Sequence, residues 1–556
     1  MKKIFFIVNL LFCFITANSQ ISPNHYLINF TDKKNTPYSL DNPQQFLTQR
    51  AIERRKKYNI TYDETDLPVN PAYIDSLKKL GLKTGNVSKW FNAISVYTTD
   101  SLLIDTLDKL SFVKSVGVKK TKRSKIKEKL PDIDKIKSEI SLDFDTTGYK
   151  YYGTAFRQIE MLNAHYLHKE GFKGQGMLVA ILDAGFYKVN ELPVFDSIRN
   201  NHQIKGVYDF VDNDTMVYDA SSHGMMVLST IAANIPGEFV GTAPEADFLL
   251  LRTEQTASEY IIEEFNWVVA AEYADSLGAD IINTSLGYNT FDDTLQNHKY
   301  ADMDGNTAII SIAADLAAKK GILVVSSAGN EGFSQWKYIT APADGDSVLT
   351  VGAVSEDESI AFFSSRGPTS DGRIKPDVCA QGMPAVVSST SGEVSYSNGT
   401  SFSAPILTGA LTCLWQAHSD LNNIQIIEAI KRSADRYNKP DTVFGYGIPD
   451  FYAAHIYLNA MGKIDENTDN MLNVFPNPFK NILNVAFYAK NITLPYNSKL
   501  EVFDVKGKKV LETDIQDIEN NYNLTILNNV EKLRKGVYIV RYTANDIVLQ
   551  TKAVKL

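Results

Sequence analysis

A serine set among small residues is where nucleophilic chemistry first finds support in this chain. Residues 398–405 read Asn-Gly-Thr-Ser-Phe-Ser-Ala-Pro and run on into ILTGALTCLWQAH. The small residues before Ser401 permit a tight turn, and the apolar run behind it predicts a helix with Pro405 in its first turn. Ser401 is therefore expected near a helix N-terminus, where free N–H groups and the helix dipole favour a developing negative charge. Serines in such loops more often only make turns. Two upstream segments offer partners. Asp183 ends the apolar run in GQGMLVAILDAGF, and His223 stands just ahead of a glycine and an apolar helical run in SSHGMMVLSTIAA. Taken singly, Asp183 reads as a strand-end carboxylate capping a loop, and His223 as a helix-start histidine with a satisfied ring. Asn330, in GILVVSSAGNEG, sits at a strand-end turn.

Taken jointly, these segments resemble the motifs of the subtilisin-like (S8) serine peptidase family, which presents its triad in the order Asp, His, Ser. The spacings here, about 40 and about 180 residues, lie in that family's range. The resemblance implies that His223 takes the proton from Ser401, a poor nucleophile until a base activates it. Asp183 would hold the ring in its working tautomer without itself becoming protonated. The Asn330 amide and the Ser401 N–H would form the oxyanion hole. INTSLG (282–287) resembles the family's edge strand, so Ser285, Leu286 and Gly287 are expected to pair with an extended polypeptide substrate. Two more stretches, FFSSRGP (362–368) and KPDVCAQG (375–382), resemble loops of the family. Departures are Ala184 where a hydroxyl residue is usual, Gly-Met-Met after His223 where Gly-Thr-His is common, and Cys379 and Gln381 at positions often apolar and proline.

The elements that must position these residues follow from the pattern between 151 and 460. Short apolar runs (MLVAILD, DFLLLR, ADIINTSLG, GILVVSSAGN, VLTVGAV) alternate with long amphipathic segments such as SEYIIEEFNWVVAAEYADSLG and TAIISIAADLAAKKG. That alternation predicts an α/β fold, a mostly parallel sheet with helices on both faces, whose catalytic groups collect where strands end. Residues 20–120 read as a small α+β domain: a strand at HYLINF, a helix over 43–58 opening with proline, and further helix and strand runs. A charged linker (121–150) follows, with KKTKRSKIKEKLPDIDKIKSE (119–139) as its core. The last section (470–556) shows short alternating runs broken by Gly, Asn and Asp, which predicts an all-β sandwich.

The N-terminal domain resembles a subtilase propeptide, implying a self-processed zymogen with its own propeptide as intramolecular inhibitor. The C-terminal section, from NVFPNPFKNILNV to TKAVKL, resembles the type A sorting domain of the type IX secretion system, implying that machinery as a partner and export across an outer membrane. Residues 1–19 have a basic start, an apolar core and a small-residue end, which reads as a secretory signal peptide. The chain is thus expected to be secreted or on the cell surface, with no stable membrane span.

Composition narrows the partners. A net charge of −9 argues against a general nucleic-acid binder, which needs a basic face. Two cysteines outside the leader, Cys379 and Cys413, are no disulfide framework, and buried free thiols are expected. The chemistry requires no cofactor. The family often binds structural calcium, and Asp302, Asp304 and Asn306 alternate as calcium ligands do, but no twelfth-position glutamate follows, so a solvated loop is expected there. The competing reading is a catalytically inactive surface adhesin on the same scaffold, against which the presence of Asp183, His223, Asn330 and Ser401 speaks. An α/β-hydrolase would need the order Ser, Asp, His and a G-x-S-x-G elbow at Ser401, and shows neither.

Overall fold

The computed structural model describes residues 20–118, 146–461, 471–475, 479, 483–488, 498–515, 522–527, 529–544 and 547–555. The expected signal peptide and most of the charged linker lie outside the described residues.

Seven parallel strands form the central sheet. In chain order they are β1 (Leu178–Asp183), β2 (Ile204–Asp209), β3 (Asp247–Arg252), β4 (Ile281–Thr284), β5 (Leu323–Ser327), β6 (Leu349–Ser355) and β7 (Val378–Met383), arranged across the sheet as β7-β6-β5-β4-β1-β3-β2. Every residue of β1 is buried, as a strand covered on both faces must be. The pleat divides its side chains between two cores. Val179 and Ile181 pack with the helices α1 (His223–Ala232) and α4 (Thr400–Ala417). Leu178, Ala180 and Leu182 pack with α2 (Ile262–Leu277) and α3 (Ile309–Lys319). Burying each of these Val, Ile and Leu side chains contributes about 1.5–3 kcal/mol, so the alternation ties both helical layers to one sheet.

Three local readings are corrected. KPDVCAQG is no loop: Val378–Met383 is the sheet's edge strand, with Cys379 fully buried against β6. The helix expected over 43–58 is broken into a turn at Pro43–Gln45 and a helix Gln49–Lys57, because Thr48 accepts from the Ala51 N–H and restarts it. A helix, Thr146–Tyr152, begins inside the span read as linker, and Tyr152 is buried in the main core.

The N-terminal domain is a four-stranded antiparallel sheet, ordered Lys83–Ser88, Ala93–Tyr97, His25–Phe30, Val113–Val116, with helices Gln49–Lys57, Pro71–Lys79 and Ser101–Leu107. It docks on α2 through buried polar groups. Glu272 accepts from the Ser88 hydroxyl (2.5 Å) and from the backbone N–H groups of Lys89 (2.7 Å) and Trp90 (3.0 Å). Asp275 pairs with Arg54 at 2.5 Å and with Arg55 at 2.8 Å. At the other end of the chain, a three-stranded and a four-stranded antiparallel sheet share one core that includes Leu472, Val485, Leu500, Val502, Val540 and Tyr542, the expected β-sandwich. Cys379 and Cys413 are free and buried. No helix among the described residues is long and apolar enough to cross a membrane.

Candidate active site

Parallel strands carry their carboxyl ends to one edge of the sheet, and the nominated residues gather there. Asp183 is the last residue of β1, Ser285 follows β4 directly, and Asn330 lies three residues beyond β5. His223 opens α1 and Ser401 is the second residue of α4.

Asp183 and His223 are in direct contact. The imidazole Nδ1 lies 2.8 Å from Asp183 Oδ1, with the carboxylate 2% exposed and the imidazole 33% exposed. This bond selects the tautomer that leaves Nε2 with a free lone pair. The turn into α1 is set locally, since Ser221 Oγ accepts from the His223 N–H. Gly224 makes the close approach feasible: a Cβ there would sit 2.5 Å from the Gly185 carbonyl and 2.9 Å from Asp183 Cβ. Burial pulls the imidazole pKa down, but the Asp183 charge and hydrogen bond more than offset it and raise it to about 9. Asp183 Oδ1 also accepts from the Ala184 N–H at 2.7 Å, whereas among the described residues the buried Oδ2 has no partner.

Ser401 is not hydrogen-bonded to His223 here. Its hydroxyl donates to the Ser285 carbonyl at 3.2 Å, while the Ser285 hydroxyl donates to the Ser401 carbonyl at 2.9 Å. Pro405 explains the second bond: it lies four residues on and has no N–H to give the Ser401 carbonyl. It falls in the second turn of α4, not the first, because the helix starts at Thr400. The His223 ring is near this turn, 6.0 Å from the Phe402 ring between centroids. Catalytic hydrogen bonds commonly tighten only once substrate is bound. Behind Ser285 a buried relay ties β4 to α4: Thr408 Oγ1 donates to Asn283 Oδ1 (2.9 Å), and Asn283 Nδ2 donates to Ser285 Oγ (3.1 Å).

Asn330 is held by a residue the sequence reading missed. Its Oδ1 accepts from both the backbone N–H and the hydroxyl of Thr400, each at 3.0 Å. This fixes the amide with Oδ1 toward Thr400, on an exposed residue beside the start of α4. The Thr-Ser pair at 400–401 was the available signal. The edge-strand reading of 282–287 needs correction, because β4 is central, paired with β5 and β1 on its two sides. Only Ser285, Leu286 and Gly287 run beyond it, with Gly287 exposed. In the 289–307 insertion, Asp304 Oδ1 accepts from the Asn306 N–H (2.9 Å) and Asp302 Oδ2 from the Lys299 N–H (2.9 Å), so both close local turns. Among the described residues no group of three or more His, Cys, Asp or Glu is arranged to hold a metal ion.

Comparison with known proteins agrees with the architecture. A model of the subtilase family matches residues 174–447, one of the Bacteroidota peptidase S8 propeptide domain matches 25–132, and one of a secretion system C-terminal sorting domain matches 473–555. Subtilisin from Bacillus pumilus is 30% identical over 301 residues, covering 53% of this chain and 97% of that protein. Subtilisin E from Bacillus subtilis (strain 168) is 29% identical over 328 residues, covering 58% of this chain and 77% of that one. The crystal structure of the epidermin leader peptide processing serine protease from Staphylococcus aureus shares the fold with a TM-score of 0.50 at 18% identity, over 80% of this chain and 99% of that one. The sorting domain marks the protein for secretion or surface export. The chain belongs to the subtilase family and is a serine endopeptidase made with a propeptide.

Proposed function

We propose that the chain is a secreted endopeptidase that cleaves polypeptides through an acyl-enzyme, with Asp183, His223 and Ser401 as its triad. The 2.8 Å contact between His223 and the buried Asp183 carries this reading. A carboxylate held there stabilises the imidazolium that forms when Nε2 takes the Ser401 proton. The freed alkoxide attacks the substrate carbonyl, and the tetrahedral oxyanion is met by Asn330 Nδ2 and the Ser401 N–H at the start of α4. His223 then returns the proton to the leaving amine, and water repeats the sequence to release the acid product. Ser285, Leu286 and Gly287 extend past the sheet with backbone groups for an extended peptide.

The N-terminal domain is proposed to inhibit the enzyme until it is cleaved from it, and the C-terminal domain to direct type IX export. The chemistry needs no metal or cofactor. A fluorophosphonate that phosphonylates activated serines with loss of fluoride tests the central assignment: mass spectrometry of the digested adduct is expected to find the label on Ser401, and none on the His223→Ala variant. Labelling elsewhere, or equal labelling of both proteins, would refute it.

A further inference from the structure

Two helical turns along α4 from Ser401, a threonine occupies a place in the core where an apolar side chain would pack as well. Thr408 lies about 10 Å along the helix axis from Ser401 and is fully buried, as are its neighbours Ile406, Leu407, Ala410 and Leu411. Facing it from β4 is Asn283, also fully buried, which follows Ile281 and Ile282 in a central strand. A buried hydroxyl and a buried amide each cost free energy unless hydrogen-bonded. Here they satisfy each other and reach further. Thr408 Oγ1 donates to Asn283 Oδ1 at 2.9 Å, and Asn283 Nδ2 donates to Ser285 Oγ at 3.1 Å. Replacing both polar partners by apolar groups of similar shape is often nearly neutral for stability, so stability alone does not call for this pair.

Counting protons gives the direction of each bond. The Ser285 hydroxyl carries one proton, and because its oxygen accepts from Asn283, that proton is left for the Ser401 carbonyl, 2.9 Å away. The carbonyl needs it, since Pro405 has no N–H to offer. The order holds only while Asn283 presents its N–H to Ser285, and Thr408 is what favours that orientation. Its proton, shared with the Ala404 carbonyl also at 2.9 Å, satisfies Asn283 Oδ1. Without the Thr408 hydroxyl, Oδ1 would be a buried acceptor lacking a donor. Turning the amide over to take the Ser285 proton would relieve it, and the Ser401 carbonyl would then lose its partner. The turn of α4 that carries Ser401 would be free to shift.

We infer that Thr408 is a positioning residue for the nucleophile, acting through Asn283 and Ser285 to hold the Ser401 carbonyl and with it the first turn of α4. The inference rests on the peptidase reading above. Thr408 touches neither Ser401 nor the Asp183–His223 pair by any of these bonds, so its effect belongs to the placing of Ser401 and not to the base that activates it.

The test is a double-variant cycle on the purified, processed enzyme, read with a quenched fluorescent peptide built on a bond that the wild type cuts in casein, well below each Tm. Thr408→Val is expected to lower kcat about tenfold with KM within about twofold, as for a small displacement of a reacting group. Thr408→Ser keeps the donor and is expected to stay within about threefold of wild type. In a Ser285→Ala background the relay has lost its last link, so Thr408→Val should lower kcat no further. The pH profile of kcat/KM should keep its midpoint in every variant, because the bond between His223 and Asp183 is untouched. Thr408→Cys, with a weaker donor, replaces Thr408→Val in the cycle if the latter does not fold, and its kcat should fall between those of wild type and Ser285→Ala. An unchanged kcat with only a lower Tm overturns this inference alone. So does a full further loss in the Ser285→Ala background, a Thr408→Ser enzyme as slow as Thr408→Val, or a shifted pH profile. A wild-type enzyme that cuts no bond in casein overturns the peptidase reading itself.

Discussion

Ser285 and Ser401 hold each other by two reciprocal hydrogen bonds, hydroxyl to carbonyl in each direction, at 3.2 and 2.9 Å. One joins the proposed nucleophile to the end of β4, and the other replaces the helical bond that Pro405 cannot make. Ser285→Ala removes the donor to the Ser401 carbonyl at a site where Ser285 is only 4% exposed. The expected cost is about 1–3 kcal/mol, read as a lower Tm, with kcat reduced more than KM is raised. Pro405→Ala restores an N–H four residues on, so the double variant should recover part of the Tm lost by Ser285→Ala. Equal Tm values for the single and double variants would contradict this explanation.

The pH dependence of turnover follows from His223. Its pKa is raised from 6.5 to about 9, so the imidazole is protonated and unable to act as base below that value. The log of kcat/KM is expected to rise with pH and level off above about 9. The same shift has a stability consequence. A raised pKa contributes stability that is fully present below 6.5 and is lost as pH rises through about 9. Asp183→Asn removes the charge that raises the pKa, so the profile should move to lower pH while kcat falls by about 10⁴. A titration of kcat/KM for both proteins checks this.

Asn330 depends on Thr400 for its orientation. Asn330→Ala is expected to lower kcat by about 10²–10³ with little change in KM, as for loss of one oxyanion donor. Thr400→Val removes one of the two bonds to Oδ1 and should lower kcat by a smaller factor, leaving KM alone. Single-turnover kinetics separate this from slower product release.

Glu272 joins the N-terminal domain to α2 through three hydrogen bonds. Glu272→Ala should weaken inhibition by the isolated N-terminal domain added in trans by about 2–5 kcal/mol, much of it the cost of leaving buried donors unpaired. Inhibition constants for the wild-type and variant processed enzymes measure it directly.

The parallel sheet and the places of Asp183 and His223 on it were legible in the sequence because each rests on a local pattern, whereas their pairing was legible only through the resemblance to the subtilisin-like family. An apolar run ending in Asp183 marks a strand end, and a histidine before a glycine and an apolar run marks a helix start. What was not legible depends on contacts distant in sequence. The Ser285–Ser401 pair spans 116 residues, and the central position of β4 follows from pairing with β1 and β5. Val378–Met383 was missed as a strand because Cys379, Gln381 and Gly382 do not look like a buried run until β6 lies beside them.

The most direct measurement compares wild-type chain and Ser401→Ala, each expressed without its first nineteen residues, for loss of the N-terminal domain and for hydrolysis of casein. The account predicts that the wild type sheds the domain and cleaves casein, while the variant stays full length and inactive. If both proteins are processed and cleave casein alike, or if neither does, the assignment of Ser401 as the nucleophile of a self-processing peptidase is contradicted.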